Sequence, residues 1–377
     1  MGTFTFGGTG PFAMVGQQGV AEARRLVDLC IDAGVNLFDT ANMYSIGLAE
    51  EILGEALDGR RDDVLITSKA RMRIGTGPND EGASRYHLIR ECERSLKRLR
   101  TDHIDIYYMH EWDGVTPVEE KLAALDTLVQ QGKVRYIGCS NYSGWHIMKS
   151  LAVSDRDRRP RFVTQQIHYT LEAREAEYEL LPISVDLSLG VLVWSPLAAG
   201  LLSGKHRRGV ATPEGSRQFA GWTEPPIRDV EKLWDIVDVL VSIGASRSVS
   251  AAQVALVWLL TRPAVSSLVF GGRTEAHFRD NFAAVSLKLV QPCRSGATSG
   301  FRCKVNRLRP ALVGRITPFG RRSASQGLPR CQQLGGIRSR QSRCSLGHPV
   351  PSGSAYRPTR RCPVRSAAAR TRSAHGQ

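Results

Sequence analysis

Two hydrophobic periods alternate along the first 290 residues. Short apolar runs with strand character end at Phe6, Phe38, Thr67, Tyr108, Cys139, Gln166, Trp194 and Phe270. Runs such as Val64-Leu65-Ile66-Thr67 are continuously apolar, as expected of strands covered on both faces. Between them, apolar residues recur every three or four positions. That spacing predicts helices over 20–33, 49–57, 84–99, 118–131, 143–152, 230–243, 250–261 and 274–284. Strands alternating with helices imply parallel pairing through right-handed crossovers. An open doubly wound sheet and a closed (β/α)8 TIM barrel both satisfy this. No G-x-G-x-x-G follows the first strand, because Gly7-Gly8-Thr9-Gly10 leads into a loop. No acidic residue stands where a ribose contact would need one. Eight units in about 290 residues suit the barrel, which is the expected architecture.

Charge changes the picture of the chain's end. The 377 residues hold 51 Lys+Arg against 36 Asp+Glu, a net of +15. Residues 291–377 carry 18 of the basic residues, 17 of them Arg, and no acidic one. The body is left with 33 basic and 36 acidic residues, a net of −3, so the excess that suggests a polyanion partner sits wholly in the tail. Periodicity also stops there, and the five tail cysteines follow no metal spacing. A basic arm for nucleic acid is the functional alternative. The expected division is a barrel over 1–289 and an Arg-rich, disordered basic tail over 290–377. Such a tail is what translation of a shifted reading frame would leave, and no nucleic-acid partner is expected. The body's cysteines, Cys30, Cys92 and Cys139, lie apart inside predicted elements and read as reduced thiols. With no signal-peptide pattern and no membrane-spanning run, a cytoplasmic location is expected.

In a parallel barrel, reactive groups gather at the C-terminal ends of the strands. Asp39 ends the second strand, with Tyr44 in the loop beyond it. Lys69 ends the third and His110 the fourth. Each has an ordinary structural reading as a cap, a packed ring, a solvated ammonium or a satisfied imidazole. Together they have a chemical one. A phenol titrates near pH 10, and a nearby ammonium favours the phenolate. Asp39 can hold Lys69 charged, and His110 can hydrogen-bond a carbonyl oxygen. Such a mouth protonates an oxygen as charge develops on it, but side chains supply no hydride.

At these residues the chain resembles the aldo-keto reductases, in particular the branch related to potassium-channel β-subunits. The likeness rests on "GVNLFDTANMYSIGLAEEILGEAL", "ITSKA" and "DHIDIYYMHEWD" and covers residues 2–289. It implies a catalytic tetrad of Asp39, Tyr44, Lys69 and His110, with Tyr44 as proton donor. It implies NADPH as cofactor. Thr3, Ser140, Asn141 and Gln166 would lie on the nicotinamide side. Trp194, Ser195, Pro196, Leu197, Ala198, Gly200, Leu202 and Lys205 would follow the pyrophosphate. Arg217 would lie on a strap, and Gly271, Arg273, Asp280 and Asn281 at the adenosine phosphate. His277 stands where the family often has Gln. Trp112 and the loop 71–82 would line the substrate pocket. The implied activity is reversible reduction of an aldehyde or ketone, a small-molecule carbonyl substrate. The alternative is an NADPH-binding redox-sensing subunit with little turnover. The chain opens inside the family's first strand, and a shortened strand there would leave an unpaired barrel edge.

Overall fold

The structure is a computed structural model, described over residues 1–287. The expected tail, 290–377, lies outside the described residues. Seven parallel strands form one sheet in chain order: β1 (Leu37–Asp39), β2 (Leu65–Ala70), β3 (Ile104–Met109), β4 (Val134–Ser140), β5 (Phe162–His168), β6 (Gly190–Trp194) and β7 (Val265–Val269). Helices connect them: α1 (Val20–Asp32), α2 (Leu48–Ala56), α3 (Arg85–Leu99), α4 (Val118–Gln130), α5 (Gly144–Arg156), α6 (Leu180–Asp186), α7 (Val230–Arg247), α8 (Ala251–Leu260) and α9 (Glu275–Ala283). This is a (β/α)8 barrel.

The eighth stave is the short segment formed by residues 1–3. Gly2 N donates to Phe270 O at 2.7 Å, just past β7. On the other side Asp39 N donates to Met1 O at 2.7 Å and Thr3 N to Asp39 O at 2.9 Å. Residues 1–3 therefore pair with both neighbours, and the gap between β7 and β1 is bridged. The expected first strand, ending at Phe6, is corrected: the chain turns after Thr3, and fully buried Phe6 bridges to Gln18 instead.

The sequence also explains where the helices begin. Ser84, Asp229, Ser250 and Thr274 each accept a hydrogen bond from the backbone amide three residues on, capping α3, α7, α8 and α9. Helix α6, absent from the hydrophobic pattern, is a seven-residue helix with a proline near its start. Outward-facing strand residues Phe38, Ile66, Tyr107, Met109, Ile137 and Cys139 meet α1–α5 in one apolar layer. Ile167, Val191, Val193 and Leu268 meet α8 in a second. The alternate residues fill the barrel. There Tyr108 donates its hydroxyl to Thr164 Oγ1 at 3.3 Å, and Gly138 is required because a Cβ would stand 2.5 Å from the Tyr108 ring.

Helix α2 rests on the end of α3, where a Cβ at Gly54 would come within 2.6 Å of the Leu99 carbonyl carbon and 2.7 Å of Arg98 O. Gly54→Ala is therefore expected to destabilise the fold by about 1–3 kcal/mol through overpacking. A thermal-unfolding midpoint equal to wild type would show instead that the two helices part freely.

Candidate active site

The strand register brings three of the four expected catalytic groups into one buried chain. Asp39 sits opposite Thr67 across the β1–β2 pair, and Lys69 follows two residues later on the same face of β2. Lys69 Nζ donates to Asp39 Oδ2 at 2.7 Å and to Thr40 O at 2.8 Å, and reaches the Tyr44 hydroxyl at 3.5 Å. The Lys69 and Asp39 side chains are 0% and 2% exposed, so water neither screens nor satisfies them. Asp39 Oδ1 instead accepts from Thr67 Oγ1 at 2.6 Å and Gln166 Nε2 at 2.7 Å. His110 joins from the end of β3, its ring edge-on to Tyr44 with centroids 5.9 Å apart.

Electrostatics give each group a protonation state. Burial raises the Tyr44 pKa and outweighs the opposing pull of Lys69, so the phenol keeps its proton. The sequence expectation that the ammonium lowers this pKa is corrected: the ammonium acts in that direction, but desolvation is larger. For Lys69, burial is the largest single influence and acts downward. Asp39 and the Tyr44 hydroxyl together overcome it and hold the amine charged. His110 is pushed well below its usual range, by burial first and then by Lys69 and Arg71, and is therefore neutral. Its Nδ1 is buried without a partner, while its backbone is tied to Ala70 O and to the Asn141 side chain.

The residues expected beside a nicotinamide cluster at the same mouth, with their polar groups turned to protein partners. Thr3 Oγ1 donates to Asp39 O at 3.1 Å and Ser140 Oγ to Gln166 O at 2.9 Å. Left-handed Asn141 donates to His110 O at 3.1 Å and accepts from Trp194 Nε1 at 3.0 Å, linking the ends of β3, β4 and β6.

The segment after β6 is a run of turns. Ser195, Ala198, Ala199 and Gly200 all have positive φ, and the amides of Ala198, Ala199, Gly200 and Leu202 close bonds inside the loop. Pro196, Ala198 and Leu202 are buried, the last two packed against α7 and α8, with Leu197 beside them. With those amides occupied, the positive charge of this region lies in side-chain cations. Lys205 lies beside Gly200, and Arg273 reaches toward Gly215 on the segment that carries Arg217. Burial and Arg273 lower Arg217 to about 10; burial, Arg273 and Arg217 lower Lys205. Among the described residues no carboxylate pairs with any of the three side chains. Three mutually repelling cations without a carboxylate partner among the described residues have the charge and donors to hold a phosphate-bearing ligand.

Other expected contacts serve the fold in this structure. Asp280 accepts from Ser250 Oγ at 2.8 Å and Gln253 Nε2 at 2.7 Å, tying α9 to α8. Neighbouring Asn281 is buried, and Gly271 is exposed. The Trp112 ring stacks on His146 at 4.0 Å and lies 3.8 Å from Lys121 Nζ, itself paired with Asp113 at 2.8 Å. The Trp112 ring is thus braced between α4 and α5.

Four contributors escaped the sequence reading. Thr67 and His168 lie two residues from Lys69 and Gln166, so strand period alone could have put them on the inner face. His168 stacks on Trp194 at 4.5 Å, and burial lowers it to about 4. Phe4 and Trp222 carried no signal. Phe4 meets Tyr44 edge-on at 5.1 Å and Trp222 at 5.6 Å, with the Arg217 guanidinium 5.4 Å from its ring.

A parallel barrel whose mouth joins a buried lysine–aspartate pair, a protonated phenol and a neutral imidazole, beside an uncompensated cation cluster, defines a class of barrel oxidoreductases. Sequence comparison agrees: a model of the aldo/keto reductase family matches residues 1–292, and the chain belongs to that family. Family members generally bind NAD(P)H. The chain is 41% identical over 278 residues to the uncharacterized oxidoreductase YrpG of Bacillus subtilis (strain 168), covering 71% of this chain and 83% of that protein. It is 36% identical over 292 residues to a probable voltage-gated potassium channel subunit beta of Arabidopsis thaliana, covering 76% and 88%. It is 34% identical over 267 residues to a putative subunit of the same kind from Schizosaccharomyces pombe (strain 972 / ATCC 24843), covering 67% and 76%. No single helix among the described residues is long and apolar enough to cross a membrane.

The depressed His110 pKa makes a pH prediction. Below the ordinary histidine value of 6.5 the unfolded chain takes up a proton that the folded site refuses. Stability is therefore present above that pH and lost as pH falls through it. His110→Gln should flatten the fall in urea midpoint between about pH 7 and pH 5. An unchanged slope would mean that His110 is freely protonated in the fold.

Proposed function

We propose that the protein reduces an aldehyde or ketone to an alcohol with NADPH, reversibly. The observation that carries this reading is the buried chain Asp39–Lys69–Tyr44, which ends in a protonated phenol at the barrel mouth. NADPH supplies the hydride. The chain's own residues do the rest. Neutral His110 donates a hydrogen bond that orients the carbonyl, and Tyr44 delivers its proton to the oxygen as negative charge grows there. The Lys69 ammonium then stabilises the phenolate, with Asp39 keeping that ammonium charged and in place. Lys205, Arg217 and Arg273 would hold the phosphates. The 2′-phosphate is the reason for preferring NADPH to NADH, since it offers a dianion to a cluster that lacks one.

A second reading has an observation of its own, the resemblance to proteins named as potassium channel β subunits. In that case the same site binds NADPH as a redox sensor and turns over little. Steady-state NADPH consumption with benzaldehyde and butanal separates the two. The sensor quenches NADPH fluorescence without consuming it.

Under the reductase reading, Tyr44→Phe removes most turnover, by about 100-fold or more for the loss of a positioned proton donor. It leaves NADPH affinity close to wild type; full activity in this variant would reject Tyr44 as the donor. Arg273→Ala is expected to weaken NADPH binding far more than NADH binding in fluorescence titrations. An equal loss for both would place the 2′-phosphate elsewhere.

A further inference from the structure

The loop that carries Tyr44 has an unusual backbone. Ser45 (φ 48°), Ile46 (φ 56°) and Gly47 (φ 91°) follow it, all left-handed. L-residues avoid that region, and a segment of this kind persists only where its surroundings hold it. The N-terminal segment holds one side: Ser45 Oγ donates to Phe6 O at 2.7 Å and accepts from Gly8 N at 3.0 Å.

The other side is held by helix α3, far from the reacting groups. Asn42 N donates to Lys69 O at 3.1 Å, and Asn42 Nδ2 donates to Glu91 Oε2 at 3.2 Å. Asn42 Oδ1 is buried and unpartnered, so the bond to Glu91 is the one that orients this amide. Glu91 is itself fully buried and fixed by Arg94 Nη1 at 2.9 Å. Two turns further along the same face, Arg98 lies under Gly47, where a Cβ would meet its Cδ at 2.8 Å. Arg98 Nε donates to fully buried Glu50 at 2.7 Å, and Glu50 accepts from Ser68, the neighbour of Lys69 on β2. Two buried carboxylates thus join α3 to the proton donor's loop and to the lysine's strand.

The geometry points to Glu91, acting through Asn42, as a positioning residue for Tyr44. Neither side chain reaches the mouth. They set where the phenol stands relative to Lys69 and His110. The kinetic consequence rests on the proposed reduction; the structural consequence does not.

The test uses the full chain with benzaldehyde and NADPH. Asn42→Ala leaves the Glu91 ion pairs intact and removes only the clamp. Its kcat should fall by about 10- to 100-fold, as for a slightly misplaced catalytic group. Its NADPH affinity should stay near wild type, and its melting temperature should fall by only a few degrees, for one buried carboxylate oxygen left without its amide donor. Amide hydrogen exchange over residues 40–48 should accelerate while that of β3 and α4 holds. Asn42→Asp sets a carboxylate against Glu91 and should be worse. Adding Glu91→Gln to it restores the bond with donor and acceptor exchanged, and should recover exchange protection and part of kcat. Unchanged exchange over 40–48 in a folded Asn42→Ala protein would overturn the inference. So would a paired substitution that recovers nothing. If wild type itself consumes no NADPH, the proposed reduction fails, and the exchange measurement still decides the clamp.

Discussion

The site depends on one interaction, the ion pair between Lys69 and Asp39 sealed inside the barrel. Desolvating two charges costs several kcal/mol per ion, and their attraction offsets this only when the remaining hydrogen-bonding groups are satisfied. Here they are. Thr67 and Gln166 cover one Asp39 oxygen, Lys69 covers the other, and Thr40 O takes a second ammonium proton. The donors to Asp39 come from β2 and β5, on different sides of the barrel. The pair is therefore a product of closure as much as of local sequence. An open sheet would bring Asp39 to Thr67 but not to Gln166.

Closure itself rests on very little chain. Three residues bridge β7 to β1, and on the β1 side they pair with Asp39, whose backbone bonds Met1 and Thr3 while its side chain holds Lys69. Stability and chemistry thus meet in one residue. The loops above the barrel repeat this economy. Asn141 joins three strand ends with one amide, and Phe4 touches both Tyr44 and the segment carrying Arg217.

Much of this was legible in the sequence, for a definite reason. Strand ends in a parallel barrel are marked by the period switch from two to 3.6. Asp39, Lys69 and His110 sit at three successive switches. Cap residues such as Ser84 and Ser250 marked helix starts in the same local way. What escaped was long-range or a matter of balance. The bond from Gln166 to Asp39 spans 127 positions, and no pattern announces it. The clamp from Asn42 to Glu91 joins a loop to the buried face of a helix 49 positions on. The net Tyr44 shift required weighing burial against a neighbouring cation, and burial is not visible until the barrel closes. The first strand was misplaced because Phe6, apolar and close to the start, looks like strand while packing in the core beyond the turn.

The central claim is that Tyr44 is held as a neutral, proton-bearing phenol whose ionisation is tuned by the buried pair beside it. Ring-carbon NMR of tyrosine-labelled protein across the alkaline range tests it directly, with Tyr44→Phe assigning the resonance. The account predicts a Tyr44 titration above the ordinary tyrosine value of about 10, displaced higher still in Lys69→Met, where the favourable cation is lost. A Tyr44 signal already ionised near neutral pH, or one indifferent to Lys69→Met, would contradict it.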